Sequence, residues 1–161
     1  MTTKLLISAA MLSATLFAYP ISAQEAPSPQ ENAQNATVTR QAVFKLLGFN
    51  MGAIIGMARG SIPFDAAVAE RNARRMAALA PMIPEVFAAM DTREFDVTTE
   101  ALPVIWENPD EFAEKANNLV TAANKFADIA AGGDQGATMG GLRGLGGSCG
   151  NCHDTFRVDD D

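Results

Sequence analysis

Asn108-Pro109-Asp110-Glu111-Phe112-Ala113-Glu114-Lys115-Ala116-Asn117-Asn118-Leu119-Val120-Thr121-Ala122-Ala123-Asn124-Lys125-Phe126-Ala127-Asp128-Ile129-Ala130-Ala131-Gly132-Gly133 reads as a whole helix with both ends written into it. Asn108 suits the N-cap. Pro109 suits the first helical position, where a missing N–H costs nothing, and Asp110 and Glu111 suit the positive end of the helix dipole. Phe112, Ala116, Leu119, Ala123, Phe126 and Ala130 then recur at alternating steps of four and three, the seam of a helix packed in a left-handed bundle. Gly132-Gly133 ends it. A helix with one apolar seam has to bury that seam against other elements, so its partners must lie on either side in the chain.

Upstream, Arg40, Phe44, Leu47 or Gly48, Met51 and Ile55 share one face of a first helix that runs from about Val38 to the stop signal at Gly60. Pro63 leads to Asp65, an N-cap, after which Ala69, Ala73, Met76 and Ala80 carry a second apolar stripe as far as Pro81 and Pro84. Ile83, Val86, Phe87 and Met90 suggest a further turn or two. Asp91 to Glu107 has no helical period and holds Pro103 and the single tryptophan, Trp106, so it reads as a crossover packed by its own apolar residues. Downstream, Asp134 to Arg157 contains seven glycines. Each costs about 1 kcal/mol relative to alanine in a helix, so this segment is either a helix with outside support or a partly frayed loop. No strand-like alternation and no repeat of about 20–50 residues appears, which predicts an all-α, antiparallel four-helix bundle.

The chain has 161 residues, a length that suits one domain. Lys4 precedes an apolar run from Leu5 to Ala18, which Pro20 breaks before the small-residue site Ile21-Ser22-Ala23. The run is short for a bilayer, so residues 1–23 are expected to be a cleaved signal peptide rather than a membrane anchor, and the product to be periplasmic. Residues 24–36, rich in Pro, Ser, Asn and Gln, are expected to form a flexible leader, with the bundle over 37–161. The formal charge of −7 argues against nucleic acid or an anionic membrane as partner. It leaves open simple solubility or steering towards a basic redox partner.

Cys149-Gly150-Asn151-Cys152-His153 has the spacing of c-type haem attachment, in which two thiols add to the haem vinyl groups and the adjacent imidazole reaches the iron. The chain has no other cysteine and no other histidine. A structural zinc site would be one ligand short, and a thioredoxin-like pair would want a βαβ setting. One covalent haem c is therefore expected, held by Cys149 and Cys152 with His153 on the metal. On a helix Cys149, His153 and Arg157 share a face, with Gly146 two turns before His153, where a bare backbone would let a flat macrocycle approach. Few residues follow His153, so a second iron ligand would have to come from upstream, where methionines are the candidates.

The chain resembles the class II cytochromes c, the cytochrome c′ family, from about Thr37 to Arg157. The resemblance is carried by Arg40-Gln41, Gly60, Pro63-Phe64-Asp65, Ile105-Trp106 and above all Gly147-Ser148-Cys149-Gly150-Asn151-Cys152-His153-Asp154-Thr155-Phe156-Arg157. It implies a four-helix bundle, often a homodimer, with haem between the helices and one edge exposed. Low-spin relatives of the c-556 type carry Met four residues after the Arg of Arg-Gln-x-x-Met, and high-spin relatives put an apolar residue there. Here that position is Phe44, which cannot ligate iron. The resemblance thus implies Phe44 on the distal side, Arg40 against a haem propionate and Arg157 on the proximal side near the histidine.

Met51, seven residues beyond Phe44, would lie about 10 Å further along the helix, too far for both to face one iron. It is expected in the core. A five-coordinate iron with an apolar distal wall suits NO or CO, which need no distal hydrogen-bond donor. The alternatives are a low-spin electron-transfer cytochrome of the c-556 type with a methionine distal ligand, or an electron carrier acting with an unknown redox partner. An enzyme such as a peroxidase is the weakest reading, since the single histidine is already committed and no distal acid–base group is evident.

Overall fold

The first helix begins where composition argued against one. In the computed structural model, which describes residues 25–158, α1 spans Pro29–Ala58. The Ser28 hydroxyl accepts from the Glu31 N–H at 3.2 Å and the Glu31 carboxylate accepts from the Ser28 N–H at 2.7 Å, a capping box with Pro29 at the first helical position. These bonds, the one from the Ser28 backbone foremost, hold the Glu31 carboxyl below its ordinary value. The flexible leader expected over 24–36 is corrected accordingly: from Pro29 it is helix. Ala33, Thr37 and Arg40 are buried at steps of four and three, and Gln30 donates to the Asp96 carbonyl at 2.7 Å. The signal peptide expected over 1–23 lies outside the described residues.

Gly60, at φ +69°, turns the chain after α1, a conformation that side chains disfavour. In α2 (Ala66–Leu79) the Asp65 carboxylate caps the Val68 N–H at 3.0 Å. The further turns expected after Pro81 are α3 (Met82–Ala88). The crossover contains one helical turn, α4 (Val104–Glu107), and leads into α5 (Pro109–Ala131). Asn108 stands at the N-cap of α5, but its side chain makes no capping bond; its carbonyl accepts from the Phe112 N–H at 3.0 Å. All six residues of the predicted α5 seam are buried.

The glycine-rich segment is a continuous helix, α6 (Gln135–Phe156), capped by Asp134 on the Ala137 N–H at 2.6 Å. Its support comes from α5. A Cβ placed on Gly141 would lie 3.2 Å from Ile129 Cδ1 and 3.4 Å from Phe126 Cδ2, so the bare backbone lets the two helices approach. At Gly146 a Cβ would meet only Met51 Cε, at 4.0 Å, and Met51 lines the cavity described below.

With α2 on α5, α5 on α6 and α1 on α2, the four long helices form an antiparallel four-helix bundle. By length and composition α1 could cross a bilayer, yet its inner face carries Thr37, Arg40 and Asn50 into the protein interior. The opposite face leaves Val38, Leu46 and Phe49 exposed.

Two substitutions in α6 should separate packing from propensity. Gly144→Ala, with nothing within 4 Å of the new Cβ, should raise stability by about 0.5–1 kcal/mol. Gly141→Leu should lower it by about 1–3 kcal/mol through overpacking against Phe126 and Ile129. Urea unfolding of the full-length protein measures both.

Candidate functional site

Between α1 and α6 lies a cavity of about 820 Å³. Residues Cys149, Cys152, His153 and Arg157 reach its wall from the C-terminal end of α6, and Arg40, Phe44, Gly48 and Met51 from α1. The wall also includes Met76 of α2, Ile83 and Phe87 of α3, the segment Thr98 to Ala101, and Phe112, Lys115 and Leu119 of α5. The structure thus brings all six expected site residues, Arg40, Phe44, Cys149, Cys152, His153 and Arg157, to one surface.

Neither cysteine is in a disulfide. Both are half-buried, and burial pushes both thiols above their ordinary value. For Cys152 the Lys115 cation acts the other way, because it favours the thiolate. The Cys149 thiol points to the Leu145 carbonyl, 3.8 Å away. His153 is exposed and lines the cavity.

Arg40 is not the surface charge that its helix position alone would allow. It is 4 % exposed. Its Nε donates to the Val86 carbonyl at 3.1 Å, Nη1 to the Thr92 hydroxyl at 2.8 Å and Nη2 to the Met90 carbonyl. The guanidinium carbon lies 4.7 Å from the Phe87 ring centre and 5.2 Å from that of Trp106. Burial lowers its pKa, and the Asp91 charge partly opposes that shift.

Phe44 rests edge-on against Phe87 at 6.3 Å, Phe87 against Phe112 at 5.0 Å, and Phe112 against Phe156 at 5.1 Å, an aromatic row that runs from α1 to α6 along the cavity. Arg157 closes α6 by donating its N–H to the His153 carbonyl, and its Nε donates to Glu100 at 2.7 Å. That ion pair, with the Ala101–Arg157 bridge and the bond from Gln41 Nε2 to the Thr98 carbonyl, fastens residues 98–101 across the cavity wall.

The sequence reading missed Lys115, Met76, Ile83 and the 98–101 segment. Lys115 could have been found, since it lies three residues after Phe112 and four before Leu119, on the edge of the seam; nothing in sequence marks the other three.

Among the described residues no group of three or more His, Cys, Asp and Glu could hold a metal ion unaided. One imidazole and two thiols on an otherwise largely apolar wall fit a flat macrocycle that brings its own nitrogen ligands to iron. A helical bundle with such a cavity defines the class of c-type haem proteins built on four helices. The family model described as cytochrome C′ matches residues 35–157, and the chain belongs to that family. Its cofactor is covalent haem c. Cytochrome c-554 of Cereibacter sphaeroides is 37% identical over 155 residues, covering 96% of this chain and 98% of the relative. Cytochrome c-556 of Agrobacterium tumefaciens is 34% identical, covering 76% and 94%. Cytochrome c prime from Shewanella frigidimarina is similar in structure, with a TM-score of 0.69 and 34% identity over 79% of this chain and 97% of that one.

Haem stain should persist in a denaturing, reducing gel, because thioethers survive reduction. It should be lost from the Cys149→Ser, Cys152→Ser double variant; stain retained there would contradict attachment through these thiols.

Proposed function

We propose that the protein is a periplasmic haem protein that binds NO or CO at a five-coordinate, high-spin iron. Cys149 and Cys152 hold the haem, His153 supplies the one protein ligand, and Phe44 is the distal residue. The observation that carries this reading is Phe44 itself, an apolar ring on the α1 wall of the cavity, with its edge against Phe87. Bound there, haem supplies an iron position able to take a diatomic gas. Phe44 keeps that side apolar and must yield to an incoming ligand.

Val86, Thr92 and Met90 take three of the five N–H donors of the Arg40 guanidinium, which also lines the cavity, and this supports its pairing with a propionate. Arg157, bound to Glu100, is the basic residue on the histidine side. We ascribe no catalysis to the site: its imidazole is a ligand and Glu100 is engaged by Arg157. Val38, Leu46 and Phe49, the last 72% exposed, lie on one face of α1 and support association of two copies there.

A second reading, a low-spin electron carrier with Met51 as distal ligand, is favoured by Met51, which packs partly buried against the core and also stands on the same cavity wall as Phe44.

Phe44→Ala decides between an obstructing ring and an ordinary packing residue. If displacing the ring costs about 2 kcal/mol, its removal should tighten CO binding to the ferrous protein by roughly thirtyfold. Because Phe44 is 40% exposed, stability should fall by less than the about 3–5 kcal/mol of a fully buried Phe→Ala change. Lower stability with unchanged CO affinity would contradict the distal role. Met51→Ala should leave the iron spectrum unchanged, whereas on the second reading it would convert low-spin iron to high-spin.

A further inference from the structure

The cavity wall carries an ammonium group that the proposed function leaves unused. Lys115 of α5 has a side chain only 18% exposed, and its Nζ donates to Asn151 Oδ1 at 2.7 Å. Asn151 lies between the two cysteines. The ammonium is therefore fixed against the segment through which haem is attached. Its carboxylate neighbour, Glu111, is one turn back on α5 at 3.7 Å and is 48% exposed.

The two charges of this pair are unequally placed. A carboxylate turned to water is screened by it, while a cation held in a largely apolar wall is screened less, so within this pair the Lys115 charge outweighs that of Glu111 at the cavity. Ferric haem carries one more positive charge than ferrous haem. A fixed cation beside it raises the free energy of the ferric state relative to the ferrous.

We propose that Lys115 sets the redox poise of the haem, raising its reduction potential and so enlarging its ferrous fraction. The role rests on haem occupying this cavity, not on the coordination number, since five- and six-coordinate iron alike have a measurable potential. Failure of the five-coordinate reading would therefore leave it standing, and its own failure would leave that reading standing.

The test is a mediated redox titration of the full-length, haem-loaded protein and three variants. Lys115→Met removes the charge but keeps an apolar stem, and its midpoint potential should fall below that of the unaltered protein. Lys115→Arg keeps the charge and should stay close to it. Glu111→Gln removes the partly opposing carboxylate and should move the potential upward. If Lys115 serves only to tether Asn151, Lys115→Met will lower the melting temperature and leave the potential where it was, which overturns the proposal. A downward shift in Glu111→Gln overturns it equally. Should Lys115→Met not accumulate with haem, Lys115→Gln decides, because it removes the charge while keeping a donor for Asn151: a potential below that of the unaltered protein supports the proposal and an unchanged one overturns it.

Discussion

Everything expected to hold the haem from one side projects from a single helix whose own sequence opposes it. Cys149, Cys152 and His153 must share a cavity wall, and α6 carries seven glycines in its 22 residues. Isolated, such a segment would lose several kcal/mol to glycine alone. The bundle offsets this by packing. Gly141 lets α6 settle against Phe126 and Ile129 of α5, Leu145 and Phe156 are buried beside the same seam, and the Asp134 cap closes the start. Covalent haem adds two further attachments to the protein at the far end of the helix.

The opposite wall depends on a different kind of bonding. Arg40 reaches from α1 across to the carbonyls of Val86 and Met90 and to Thr92, with Phe87 and Trp106 against its guanidinium. It thereby ties the end of α3 and the start of the crossover to α1. Gln30 and Gln41 do the same for residues 96–98 further along. The aromatic row from Phe44 through Phe87 and Phe112 to Phe156 joins these walls along the cavity. An incoming ligand that displaced Phe44 would disturb its contact with Phe87, and so couple the iron site to the Arg40 network.

The parts of this architecture that were legible in the sequence are those governed by periodicity and local caps. The α5 seam, the Asp65 cap and the Cys149 to His153 spacing each depend on near neighbours in the chain, and each expected site residue reaches the cavity. Composition hides the start of α1, because a helix with a narrow buried face has the composition of a disordered leader. Ser28 and Glu31, three residues apart, were the signal that could have corrected it. The burial of Arg40 was not legible, because its partners lie about fifty residues away and are mostly backbone carbonyls, which carry no residue signature. The same holds for the segment 98–101, whose place on the wall comes from main-chain pairing with Arg157 and from Gln41.

The central claim is that the α1 wall leaves one face of the iron without a protein ligand. Resonance Raman spectroscopy of the ferrous protein, with EPR of the ferric form, reads coordination and spin state directly. The account predicts a five-coordinate, high-spin ferrous iron bound through His153 alone. A six-coordinate, low-spin spectrum, with a methionine-to-iron charge-transfer band in the ferric absorption, would contradict it.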